Sequence, residues 1–182
     1  MNIGPETIID FWFSDRVRKK WWHKDVAFDE EILEQFSALH EQAVRGELAN
    51  WRETALGRLA EIIVLDQFSR NMFRNQTGAF AQDALARQLT HAAVAQKADL
   101  SLSPDHRAFL YMPLMHSELA SDHDEAVRLY SSHPDLSNNL KFELKHKAII
   151  DRFGRYPHRN EVLGRESSAQ EKAFLQQPAS SF

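Results

Sequence analysis

The 182-residue chain contains no cysteine. Disulfides, thiol nucleophiles, thiolate-bound metals and iron–sulfur clusters are therefore excluded. Glycine and proline are sparse, six of each, which leaves little turn material for an architecture of many short strands. Apolar runs such as Ile62-Ile-Val-Leu65 are short, well under the roughly 20 residues a membrane span requires. The stretch Met1–Asp10 has no basic region and places Glu6 and Asp10 among its apolar residues, so no signal peptide is expected. A large excess of one charge is absent too. The net charge of −4 argues against electrostatic coating of nucleic acid. The expected compartment is the cytoplasm of a prokaryote.

What is present is helical. The length suits one domain over residues 1–182 with a single sizeable core, and a loose tail is expected over 178–182. Pro5 opens a helix through Phe13. A second runs from about Phe28 to Arg45, stopped by Gly46. A third, Thr54 to Met72, is apolar on most faces and reads as central and buried. Further helices are expected over Ala79–Ala98, from Ser103-Pro104 to about Leu119, over Asp122–Ser132 and over Leu136–Phe153. Ser168-Ala-Gln-Glu171 is a capping box for a last short helix. The expected fold is all-α, about eight helices in antiparallel hairpins, because the connections are short.

Two segments mix Arg, His and acids with aromatics more densely than packing needs: Arg107–Glu118 and His146–Arg165. From Lys141 to Arg165 seven basic residues face three acids, a basic patch suited to a small anion or an acidic partner surface. Asp66 and Arg70, four residues apart on the apolar stripe of the third helix, must pair or bind something. Arg70 is a ligand-facing candidate, with Arg74 one turn beyond. On the fifth helix Arg107, Tyr111 and Glu118 share a face, and Pro113 is expected to kink the helix. His116 and His146 each lie among apolar residues, where a satisfied core histidine competes with an acid–base role. The loop Arg155-Tyr-Pro-His-Arg-Asn160, with Arg152 before it, presents guanidiniums and the His158 imidazole. It is the first choice for a binding site. No phosphate loop, zinc-protease motif or nucleophile elbow is present, and neither a metal nor a cofactor is expected.

The blocks Phe11-Trp-Phe13, Trp21-Trp22, Leu65-Asp-Gln-Phe-Ser-Arg-Asn-Met-Phe-Arg74, Ala79–Asp83, Arg107–Glu118, His146–Asn160 and Leu163-Gly-Arg165 together resemble domain-of-unknown-function family 924, a bacterial family, over almost the whole chain. The resemblance implies an all-helical fold similar to tetratricopeptide-repeat proteins and carries no activity or catalytic residues. One departure stands out. Glutamine is expected after Ser117-Glu118 where this chain has Asp122-His123, which weakens a metal or catalytic role for His123.

Two functions follow as expectations. In the first, a helical groove lined by Arg70, Arg74, Arg107, Tyr111, Arg152, Arg155, His158 and Arg159 binds a small anion or an acidic peptide or protein surface. In the second, the chain is a small enzyme on an anionic metabolite. His116, His146 or His158 would then supply acid–base chemistry, oriented by Glu118 or Asp151. Core packing is expected for Trp21-Trp22, and no feature fixes the oligomeric state.

Overall fold

Several of the helices start where a side chain satisfies a free N–H group. The computed structural model describes residues 3–178 and 180. Among these are nine helices and no strand. They are α1 (Pro5–Trp12), α2 (Asp15–Arg18), α3 (Val26–Val44), α4, α5 (Asp83–Ala95), α6 (Pro104–Met115), α7 (Ala120–Tyr130), α8 (Ser137–Phe153) and α9 (Ala169–Leu175). Helix α4 is continuous and consists of Ala55–Ile63, a π-helical turn Val64–Phe68, and Ser69–Met72. Asp25, Thr54 and Ser103 cap α3, α4 and α6 through hydrogen bonds from Phe28 N, Gly57 N and His106 N. The capping box of Ser168 and Glu171 opens α9. Gly154, at φ +68°, closes α8 in the left-handed region.

The all-helical reading of the sequence holds, with differences at element ends. Helix α2, capped by Ser14, was not expected. Helix α5 begins at Asp83 and not at Ala79, because Thr77–Phe80 winds as a 3₁₀ turn. Helix α6 ends at Met115, so Ser117 and Glu118 lie in a connection. Of the tail, residues 179, 181 and 182 lie outside the described residues, while Ser180 is buried and donates to the Leu175 carbonyl. No helix among the described residues is long and apolar enough to cross a membrane.

Helix α4 is the axis of the molecule. Every residue from Leu59 to Ser69 is buried, and α1, α3, α5 and α6 all pack on it. On the other side α6, α7 and α8 pack in succession. This hairpin packing is compatible with the tetratricopeptide likeness. The N-terminal aromatics fold back on the core, with Trp12 buried and Trp21 half-buried, but Trp22, expected in the core, is 65% exposed. It lies flat over Phe109 with ring centroids 6.1 Å apart. Phe142, on α8, is likewise exposed.

Gly57 sits where the turn Ala49–Glu53 meets the start of α4. A Cβ there would lie 1.9 Å from the Trp51 carbonyl oxygen. Gly57→Ala is therefore expected to destabilise the fold by roughly 1–3 kcal/mol, against the ~0.5–1 kcal/mol gain usual for glycine-to-alanine inside a helix. Urea unfolding of the variant measures the sign.

Candidate functional site

The π-helical turn of α4 carries Asp66 into the protein, where it is 1% exposed. Such turns insert a residue into the α-helical ladder and re-aim the side chains around it. Three donors meet this carboxylate. His116 Nδ1 lies 2.8 Å from Oδ1, Arg70 Nη1 lies 2.9 Å from the same oxygen, and Gln67 Nε2 lies 2.6 Å from Oδ2. Arg70 continues to Asp83 at the first residue of α5, with contacts of 3.0 and 3.2 Å. Arg159 Nη1 reaches the same Asp83 at 3.1 Å, and its Nη2 donates to the His116 carbonyl at 2.9 Å. His116, Asp66, Arg70, Asp83 and Arg159 thus close into a ring. The ring joins α4, α5, the end of α6 and the connection after α8.

The Arg159 guanidinium is wedged between Phe80 and Tyr156, 4.6 Å from each ring centroid. It is 5% exposed, and its Nε has no hydrogen-bond partner among the described residues. Beside the ring opens a cleft of about 350 Å³ lined by Phe80, Asp83, Arg87, His116, Glu118 and Arg159, among others. Arg87 leans on Asp122 at 3.4 Å, and His91 shares that carboxylate at 2.9 Å.

Of the residues proposed from the sequence, Arg70, Arg159 and His116 meet in the ring. Glu118 lines the cleft, held by Arg165 at 2.7 and 2.9 Å and by the Tyr156 N–H at 2.8 Å. It cannot orient His116 as expected. Asp66 does that instead, and Asp151 is paired with Lys147. The other arginines are elsewhere. Arg74 is bidentate to Asp29 on α3, at 2.5 and 2.7 Å. Arg107 caps the carbonyls of Leu100 and Leu102, at 2.9 and 3.0 Å, away from the cleft. Arg155 ties α9 through Glu171, and Arg152 is exposed, lying over Phe153. Tyr111 is buried on Asp99 at 2.7 Å. The loop read as a displayed binding surface instead runs inward, with Tyr156, Pro157, Arg159 and Asn160 all buried.

Sequence reasoning missed Asp83 and the buried pair His123–Glu143, whose Nδ1–Oε1 separation is 2.7 Å. Asp83 had one local signal, a position at the head of a helix one turn before Arg87. His123 Nε2 lies 2.8 Å from the Ser117 carbonyl, so it must be the donor there. Its partner twenty residues away was not legible in the sequence. Among the described residues no three His, Asp or Glu side chains are grouped to hold a metal ion.

A family model described as a bacterial protein of unknown function (DUF924) matches residues 8–179. The chain belongs to this family. A solved structure of a protein of unknown function from Agrobacterium tumefaciens is similar over 94% of this chain and 96% of its own, at 36% identity and a TM-score of 0.87. No curated protein matches.

In this DUF924 chain the electrostatics of the ring sort its members. Burial alone would raise the Asp66 pKa, but Arg70 and His116 reverse the effect and hold the group well below the usual carboxylate range. Asp66 is therefore an ionised acceptor. Burial lowers the His116 pKa, and Arg70 lowers it further against the pull of Asp66. His116 is neutral at pH 7, with its proton on Nδ1 facing Asp66. Three more histidine rings surround Tyr156: His123, His146 and His158, at centroid distances of 6.2, 6.0 and 5.5 Å. Burial takes His146 down to about 3, and burial with Arg159 takes His158 down to about 4.

These shifts fix a pH dependence. The unfolded chain takes up protons at both histidines near the ordinary value of 6.5, whereas the folded chain resists until about 4 and about 3. Stability is then full above about pH 6.5 and falls on acidification, by about 1.4 kcal/mol per pH unit for each extra proton bound by the unfolded state. Glu143, raised by burial, opposes the trend with a single group. Urea midpoints are expected to drop between pH 6.5 and 4.5, and His146→Leu is expected to flatten the slope. A level profile in the wild type contradicts the assignment.

Proposed function

We propose that the cleft beside the ring binds a small anionic metabolite. One observation carries the reading: Arg159 is almost wholly buried at the cleft wall with its Nε unused. A guanidinium fixed at the wall of a cleft, with its donors not all satisfied by the protein, sets a positive charge against a carboxylate or phosphate oxygen. Arg87 adds a second, looser cation on the same wall. The neighbouring acids do not cancel this, because Asp83 is shared by Arg70 and Arg159, and Glu118 is taken by Arg165. The volume of about 350 Å³ suits a compact ligand rather than a protein surface. An acidic protein partner would be left with Lys141, Lys145 and Arg152 on the exposed side of α8, each a solvated charge of modest worth.

The lining also holds acceptors, Asp83 and the open edge of His116. A ligand that matches it carries an anionic group and a hydroxyl together. Phosphate monoesters and small hydroxycarboxylates are the fitting classes.

Thermal unfolding with inorganic phosphate and a panel of such compounds tests the proposal. At a hundred times its dissociation constant a ligand adds about 2.7 kcal/mol, a rise of roughly 5–10 °C for a chain of this size. Arg87→Ala, whose contact with Asp122 is long, is expected to keep the unliganded Tm and lose most of the rise. If no compound raises Tm, or if Arg87→Ala responds like the wild type, the cleft is not the site.

A further inference from the structure

His116 is presented to the cleft in one protonation state and one orientation. Its Nδ1 is fixed 2.8 Å from Asp66 Oδ1 on the inner side. The ring is 15% exposed and lines the cleft. Its outer edge therefore carries Nε2, which no described residue engages in a hydrogen bond. Asp66 is in turn anchored by Arg70 and Gln67, so the imidazole cannot turn over without breaking the ring. A carboxylate that only accepts holds the proton on Nδ1 and leaves a lone pair on Nε2. His123 differs, since both of its nitrogens are used inside the protein, on Glu143 and the Ser117 carbonyl.

We propose that His116 is the proton-transfer group of the cleft, with Asp66 as its positioning residue. This rests on the reading of the cleft as a small-anion site. The anionic end of the ligand lies on Arg159 and Arg87, and a hydroxyl of the same ligand meets Nε2. The transfer is a single proton: the ligand O–H bond breaks as the Nε2–H bond forms. The ligand gains one negative charge and the imidazole one positive charge, opposite the Asp66 carboxylate. The reverse step returns the proton to the oxygen. The arrangement is that of a general base oriented by a third group. The ligand class is therefore a hydroxyl-bearing anion in which a proton must leave oxygen for the chemistry to start.

The charged and titratable groups facing His116 fix what a titration reads. Asp66 and Arg70 come from α4, Asp83 from α5, His146 from α8, and His158 and Arg159 from the connection after α8. Arg70 and burial keep the imidazole neutral, and Asp66 opposes them. A bound dianion beside Nε2 shifts the balance toward the imidazolium.

The experiment is ¹⁵N NMR of the histidine-labelled full chain across pH, without and with inorganic phosphate. The His116 signals are identified by their loss in His116→Gln. The expected result at pH 7 is a protonated Nδ1 and a bare Nε2 that titrates below the ordinary histidine value. Phosphate is expected to raise that inflection by about one pH unit, the size a close opposite charge produces. Asp66→Asn is expected to lower it, because the counter-charge of the imidazolium is gone. An Asp66 that does not fix the tautomer would leave the proton on Nδ1 and Nε2 bare in this variant, whereas loss of positioning lets the proton move to Nε2. If that variant does not fold, the wild-type titrations decide alone.

A proton on Nε2, or an imidazolium at pH 7, overturns the inference whatever phosphate does. A bare Nε2 that phosphate leaves unmoved, while phosphate still raises Tm, overturns it and spares the binding proposal. If neither phosphate nor any compound of the panel changes Tm or the His116 signals, both are overturned.

Discussion

Five residues, numbered 66, 70, 83, 116 and 159, close a ring of hydrogen bonds and ion pairs inside a helical protein, and most of the site follows from that closure. Two carboxylates are balanced by two guanidiniums, so the ring is near neutral. Arg70 bridges both carboxylates, His116 and Gln67 complete the shell of Asp66, and Arg159 joins Asp83 to a main-chain carbonyl. A buried ion pair gains little net stability over an apolar substitute, yet leaving one member unpartnered costs several kcal/mol. The ring therefore acts as an all-or-none latch. It holds α4, α5, the end of α6 and the Tyr156–Asn160 connection in one arrangement, and the cleft is the space those four pieces leave.

The latch also divides the histidines. His123, His146 and His158 surround the Tyr156 ring, and burial depresses the pKa of the latter two. They make the interior sensitive to acid and set the stability profile. His116 belongs to the latch instead. Its inner nitrogen satisfies Asp66, and its outer edge completes the cleft wall. Tyr156 links the two groups, packing against Arg159 on one side and anchoring its N–H on Glu118.

The helices were legible because caps, stops and apolar periodicity are local signals. Thr54, Ser103, Ser168 and Gly154 act where the spacing places them. The π-helical turn was not legible, since Val64–Phe68 holds no glycine or proline to set it apart from the α-helix around it. In the site, Asp66 and Arg70 stood out as charges on an apolar stripe that must pair or bind something, and they are paired with each other. Their second partner was out of reach: Asp83 meets Arg159 across 76 residues of sequence, and nothing in either neighbourhood announces the other. The same blindness explains the arginines that proved to be staples. A guanidinium reads identically in sequence whether it faces a ligand or, like Arg74 on Asp29 and Arg155 on Glu171, a carboxylate from another helix.

The latch itself is best tested by a double-mutant cycle on Asp83 and Arg159, using Asp83→Asn, Arg159→Gln and the pair, with stability from urea unfolding. Groups in one buried network couple by about 0.5–3 kcal/mol, and closure of the ring places this pair in the upper half of that range. Each single variant should then cost nearly as much as both together. Strictly additive losses would mean that the two side chains act independently, and that the ring does not hold the cleft.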